Sequence, residues 1–216
     1  MSITAYLPLL AQGLAVTVGA WVCSAVLSFV VGMILGIASC AQISSPAVRR
    51  AIAVYVFVAR GVPVYVQILL AYFVLPALFG ISLPAMFAAT LALGFCSAGY
   101  VTEIVRSGIN ALPVGQWDAS VMLGFSKRQA LRYVVLPQVL YTVTPILLGE
   151  LESLLKSTSL FASIGIVELT RAGMNIISRE LNPVPVYLLV AGIYLLLSAC
   201  MALLVRLLKK RYALFL

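Results

Sequence analysis

The sequence predicts an all-α integral membrane protein of about five spans in one domain, residues 1–216. Three observations carry this. Of the 216 positions, 63% are hydrophobic and only 9% charged, against about 25% charged in a soluble domain. The mean hydropathy is +1.15. The apolar residues gather into stretches of about 20 or more, the length of a membrane-crossing helix, with Gly, Pro and basic residues between them. The net charge of +8 is spread among those connections, which is the pattern of a membrane protein and not of a nucleic-acid binder.

The first span falls within 9–40. It is uncharged, and Gly32-Met33-Ile34-Leu35-Gly36 forms a GxxxG that lets another helix backbone approach closely. The first basic residue is Arg49, so the charged start of a cleavable signal peptide is missing. A short loop with Ser44, Ser45, Pro46, Arg49 and Arg50 leads to span two, 52–79. That span is broken early at Arg60-Gly61-Val62-Pro63, because proline removes a donor and clashes one turn back. Such breaks are tolerated at membrane depth only under cover of protein or beside a water-filled cavity. Span three, 84–105, follows Gly80 and Pro84. A loop, 106–132, separates it from span four, 133–153. Residues 154–182 are too polar for a plain span and are expected as short re-entrant helices at the membrane boundary. Span five, 184–208, follows Pro183 and Pro185.

The basic residues set the orientation. With the N-terminus outside and the C-terminus in the cytoplasm, Arg49, Arg50, Arg106, Lys127, Arg128, Arg132, Arg206, Lys209, Lys210 and Arg211 all face the cytoplasm. Only Lys156, Arg171 and Arg179 fall toward the other side, and Arg60 is placed to snorkel to the inner boundary. The four cysteines form no CxxC and histidine is absent, so no metal site is expected.

Residues 115–137, GQWDASVMLGFSKRQALRYVVLP, are a polar, basic interruption. Gln116–Leu123 makes about two helical turns, and Gly124 stands where a helix stop wants positive φ. Ser126 with Gln129 three residues on is a capping-box pattern, so a second helix is expected from Lys127, restarted or kinked at Pro137. Two helices lying along the cytoplasmic face are expected. Three uses compete: a plain connection at the lipid headgroups, a helix-turn-helix reader of DNA, or a docking element for a cytoplasmic partner. Tethering between two spans disfavours DNA.

The residue pattern favours docking. Asp118-Ala119-Ser120, three residues, Gly124, nine residues and Val134-Val135-Leu136-Pro137 resemble the EAA loop of bacterial ABC importer permeases. Further ordered matches resemble the polar amino acid permeases of that family. They are Arg60-Gly61-Val62-Pro63 with Val66-Gln67, the run Ala98–Ile109, Val114-Gly115-Gln116-Trp117, Leu155–Leu160 and Ile164–Leu169. The resemblance covers most of the chain. It implies a type I ABC importer permease fold with a coupling loop over 113–137. Its contacts to an ABC ATPase dimer would be Asp118, Ala119, Ser120, Met122, Gly124, Leu136 and Pro137. Asp118 stands where the family has Glu, Ser120 where it has Ala. The other implied partners are a second permease subunit, identical or paralogous, and an extracytoplasmic amino acid-binding protein. ATP and magnesium would sit on the ATPase, since these residues contain no G-x-x-x-x-G-K-[ST] loop; no cofactor is expected on this chain and no catalysis.

Charges inside spans are costly, about 2.5–3.5 kcal/mol on insertion scales, so each requires a partner or a role. Glu103 and Arg106 are three apart; Glu152 precedes Lys156 by four. Glu103 and Arg106 are either a self-neutralising pair at the inner boundary or a contact to the solute or to the partner subunit; Glu152 with Lys156 is a local salt bridge or part of the solute path. Glu150 is expected near the outer part of span four. Lys156, Ser157, Thr158 and Ser159 combine a cation with hydroxyls suited to an amino acid's carboxylate and ammonium; helix capping is the alternative for the hydroxyls. The candidate pathway set is therefore Lys156, Ser157, Thr158, Ser159, Glu103, Arg106 and Glu152. Ser157 replaces an Asp common in the family, which points to a neutral or mixed solute range. A permease for another small solute such as methionine, and an ATP-independent transporter or channel subunit, are the alternative functions.

Overall fold

The computed structural model describes residues 3–212, with side chains over 5–207; the side chains of Lys209, Lys210 and Arg211 lie outside the described residues. Regular structure among the described residues is helical throughout. A short turn, Ile3–Tyr6, leads into α1 (Leu7–Ala38), then α2 (Pro46–Gly61), α3 (Val64–Leu69) and α4 (Leu75–Phe79). Next come α5 (Ala85–Ala111), α6 (Val114–Met122), α7 (Lys127–Ala130) and α8 (Leu136–Ser157). A 3-10 segment, Thr158–Ile164, precedes α9 (Leu169–Glu180) and α10 (Pro183–Tyr212). Among the described residues, four rods are long and apolar enough to cross a membrane: Leu7–Ala38, Ala85–Ala111, Lys127–Ile164 and Pro183–Leu207. A fifth span is the pair Pro46–Gly61 and Val64–Phe79, bent by 100° at the expected break.

The central contact is α1 against α5. A stripe of small residues runs down α1, from Gly13, Thr17 and Ala20 through Ser24 and Ser28 to Gly32 and Gly36, all buried. A Cβ on Gly32 would meet Val101 Cβ at 2.5 Å, and one on Gly36 would meet Val105 Cβ at 2.6 Å. The GxxxG therefore serves an interface inside the chain. Ser28 meets Ser97, Gly32 meets Val101 and Gly36 meets Val105, so both numbers rise together and the two helices run parallel. Antiparallel to them, α8 sets Val143 against Gly108 and Glu150 beside Ser97. One end of the bundle holds Cys40, Trp117, Ala130 and Val135 in a shared core. At the other end, Gly13 lies against Leu169 and Ala172 of α9, and Val186 and Val190 of α10 cover Gly173.

Two expectations are corrected. Span two begins at Pro46, which starts the helix directly after the extended Ser45, so Arg49 and Arg50 lie in its first two turns and not in a loop. The second half of the 115–137 segment does not lie along the membrane as a separate helix. It is the first part of the span-four rod, because α7 runs into α8 through a π turn, Leu131–Val135. The same device joins α3 to α4 through Leu70–Val74. In both, a proline follows the π turn by two residues: Pro137 and Pro76. A proline ring clashes with the carbonyl four residues back. Widening the turn relieves this: the Leu136 N–H donates to the Leu131 carbonyl and the Leu75 N–H to the Leu70 carbonyl, five residues back. A third expectation is corrected too: residues 154–164 continue the span-four rod, which ends at Ile164 and not at 153, and α9 (Leu169–Glu180) is the short separate helix of the 154–182 segment.

Candidate functional site: an exposed tip and a charged groove

At the end of the bundle shared with Cys40, α6 turns Trp117 and Ser120 inward. The Ser120 hydroxyl donates to the Gln116 carbonyl at 2.7 Å. The opposite face presents Asp118 and Ala119 to the surroundings. Beside them an apolar point is exposed: Val121, Leu123 and Met122, the last 88% accessible. Gly124 closes the helix at φ +82°, a conformation a side chain makes costly. Ser126 and Gln129 then form the expected capping box. The Gln129 N–H donates to Ser126 Oγ at 3.4 Å, and the Ser126 N–H donates to Gln129 Oε1 at 2.8 Å. Of the residues read as coupling contacts, Asp118, Ala119, Met122, Gly124 and Pro137 are exposed. Leu136 is half-buried, and Ser120 packs inward because its small side chain fits under the α6 backbone.

The second feature is an open groove of about 680 Å³ between α2 and α5, whose lining includes Arg49, Arg60, Tyr100, Glu103, Arg106 and Asn110. Glu103 and Arg106 form a two-point pair, Nε to Oε2 at 2.8 Å and Nη2 to Oε1 at 2.5 Å. The Arg60 guanidinium lies 5.0 Å from the centre of the Tyr100 ring, within cation–π range; the end of α2 thus sets it against α5. Arg49 Nε is buried with no hydrogen-bond partner. The groove thus holds three guanidinium groups against one carboxylate.

Above the groove, Ser28 Oγ donates to Ser97 Oγ at 2.8 Å, and Ser97 Oγ donates to Glu150 Oε1 at 2.7 Å. Arg60 lies within electrostatic reach of both Glu103 and Glu150. Glu150 is therefore level with the middle of α5, and not near the outer end of its span as expected. The cause is that α8 continues to Ser157, which moves the span's outer end further along the chain.

Lys156–Ser159 lie elsewhere, at the turn from α8 into the 3-10 segment, outside the groove lining. Lys156 pairs with Glu152 at 2.6 Å. The hydroxyls of Ser157, Thr158 and Ser159 donate to the carbonyls of Ser153, Leu155 and Lys156. Thr158 is wholly buried, where it packs the chain turn. Glu103 with Arg106 and Lys156 with its neighbours are thus two separate sets. Reading the sequence assigned no site role to Arg49, Tyr100 or Asn110, and gave Arg60 only to the membrane boundary. A signal for Arg60 was present: a cation beside a proline break.

A family model described as "binding-protein-dependent transport system inner membrane component" matches residues 28–214. The chain belongs to this family. It is accordingly a multi-pass protein of the cytoplasmic membrane and the membrane component of a transport system. It is 32% identical to the glutamine transport system permease protein GlnP of Escherichia coli K12 over 208 residues, 95% of this chain and 93% of that one. It is 36% identical to the arginine transport system permease protein ArtQ of Bacillus subtilis over 166 residues, 76% of this chain and 74% of the relative. The permease superposes on the crystal structure of an amino acid ABC transporter with histidines, with TM-score 0.89 at 31% identity over 97% of each chain. It shares its fold with the inward-facing MetNI methionine ABC transporter, with TM-score 0.83 at 20% identity over 98% of this chain and 99% of that one.

Proposed function

We propose that the permease is the translocation subunit of an ATP-driven importer for a polar amino acid delivered by an extracytoplasmic binding protein. The α6 tip is the input. Its exposed Met122 beside Asp118 and Ala119 suits insertion into a cleft of an ABC ATPase dimer. Gly124, Ser126 and the continuous rod from Lys127 to Ile164 transmit movement of that tip to the membrane interior. ATP and magnesium belong to the ATPase; this chain catalyses no reaction and binds no cofactor. A second permease copy or paralogue completes the pathway.

The observation that carries the solute class is the gathering of Arg60, Tyr100, Glu103 and Arg106 in one groove, with Glu150 held by Ser97 above it. Charges of both signs at membrane depth match a zwitterion, whose carboxylate and ammonium must both be satisfied on leaving water. Lys156, Glu152, Ser157 and Ser159 stand toward the opposite end, where the solute enters. The test is uptake into proteoliposomes by the permease assembled with its ATPase and binding protein, supplied with a labelled mixture of the protein amino acids. Uptake is expected to require ATP, and the Gly124→Pro variant is expected to insert but to lose uptake. Normal uptake by that variant would sink the coupling role of the tip.

A further inference from the structure

The break between α2 and α3 frees the last carbonyls of α2 from helical pairing, and two carbonyls at the break, those of Ala59 and Val62, are met by side chains. The Ala59 carbonyl would take the N–H of residue 63, but residue 63 is proline and has none. The Val62 carbonyl belongs to a residue in extended conformation, φ −92° and ψ 129°, outside both helices. An unsatisfied carbonyl there costs several kcal/mol. One side chain meets both needs. Gln67 Nε2 donates to the Ala59 carbonyl at 2.8 Å and to the Val62 carbonyl at 2.8 Å, using both amide hydrogens. The Cys96 thiol, from α5, adds a donor to Ala59 at 3.4 Å.

Ala59 is also the contact between α2 and α5. It is fully buried, and a Cβ on Gly99 would come within 2.8 Å of its own Cβ. The next residue is Arg60, whose guanidinium stacks over Tyr100. The end of α2 is thus held at three adjoining places: Gly99 beneath Ala59, Tyr100 beneath Arg60, and Gln67 on the carbonyls. We propose that Gln67 is a positioning residue: by bridging the two freed carbonyls it fixes the end of α2 and thereby holds Arg60 in the groove, where Arg60 reads the solute's carboxylate. This rests on the groove being the solute path, as proposed above. Methionine at position 67 fills nearly the same volume and donates nothing. The end of α2 then shifts, and Arg60 leaves the Tyr100 face.

Two measurements test it. The first needs no transport. In a chain with Cys23, Cys40 and Cys200 replaced by alanine, the labelling rate of Cys96 by N-ethylmaleimide is measured in membranes. Gln67→Met is expected to raise it about tenfold or more, since the buried thiol sits against the carbonyl that Gln67 holds. An unchanged rate overturns the bridging role. The second is a double-mutant cycle on uptake of the labelled amino acid mixture by the full transporter. Gln67→Met and Arg60→Ala are each expected to raise the half-saturating concentration about tenfold or more, with maximal rate nearly unchanged. Together they are expected to cost no more than Arg60→Ala alone, because Gln67 acts through Arg60. Multiplying effects with a real Arg60 effect overturn the positioning role and leave the pathway standing. No effect of Arg60→Ala on uptake overturns the pathway reading, and the positioning role with it.

Discussion

At the scale of single residues, close helix contacts and buried carboxylates govern what the chain tolerates. A Cβ on Gly108 would meet Val143 Cγ1 at 2.4 Å and Val139 Cγ1 at 3.0 Å. Both neighbours are β-branched and stiff, so neither yields. Gly108→Ala is therefore expected to push α8 from α5 and cost about 1–3 kcal/mol. A Cβ on Gly192, in α10, would have nothing within 4 Å; Gly192→Ala is expected to gain about 0.5–1 kcal/mol from helix propensity. Melting temperatures in one detergent check both signs. Glu168 is a different case. It is wholly buried at the start of α9, outside the spans, and accepts from the Thr170 and Arg171 N–H groups at 2.8 Å each and from the Tyr194 hydroxyl at 3.1 Å. Burial pushes its carboxyl above the ordinary range, and these donors only partly oppose that. A carboxyl raised on folding binds its proton more tightly in the folded state. Its stabilising contribution is full below the unfolded value of about 4.3 and is lost as pH rises through the folded value. Melting temperature is expected to rise as pH falls from neutral toward that value, and Glu168→Gln is expected to flatten the rise.

At the scale of elements, the two proline-linked π turns decide how the bundle is built. Pro137 forces the Leu131–Val135 turn wide, and that extra residue sets the rotation of α7 and α6 about the axis of α8. Pro137→Ala restores a donor and removes the ring. The turn is then expected to tighten to α geometry, rotating the α6 tip by about 100°, one residue of an α-helix. Stability is expected to hold or rise, while ATP-driven uptake falls by about tenfold or more. Retained uptake with an unchanged melting temperature would show that the tip does not depend on this register. The same elements show what sequence could and could not disclose. The break at Arg60-Gly61-Val62-Pro63, the stop at Gly124 and the Ser126–Gln129 box each follow from local backbone chemistry, and each is found where the residues put it. The GxxxG of α1 was legible, but not its partner α5, since partner choice depends on packing far along the chain. The π turns were not legible, because a proline two residues into a helix also reads as an ordinary helix start. Nor was the groove, whose charges come from α2 and α5 and meet only after the 100° bend.

At the scale of the whole molecule, charge and topology make one arrangement. Because α1 and α5 run parallel and α8 antiparallel, the α1–α2 loop, α6 and the end of α10 share one end of the bundle. The other holds the N-terminal turn, where Tyr6 donates to Glu180, and α9. Arg49, Arg50, Arg106, Lys127, Arg128, Arg132 and Arg206 lie toward the first end, and Lys156, Arg171 and Arg179 toward the second. At the second end Lys156 pairs with Glu152, as Arg106 pairs with Glu103 toward the first. At the first end, Lys127, Arg128 and Arg132 carry no acidic ion-pair partner among the described residues. Basic residues in short loops are retained in the cytoplasm. The first end, with the α6 tip, is therefore expected inside, where an ATPase can reach it, and α9 outside. Ser126 and Ser178 are both exposed and mark the two ends. In a chain with its four cysteines replaced by alanine, Ser178→Cys is expected to react with a membrane-impermeant maleimide in intact cells or right-side-out vesicles. Ser126→Cys is expected to react only after the membrane is opened. The reverse pattern would place the tip away from any cytoplasmic ATPase, and the proposed coupling would fall with it.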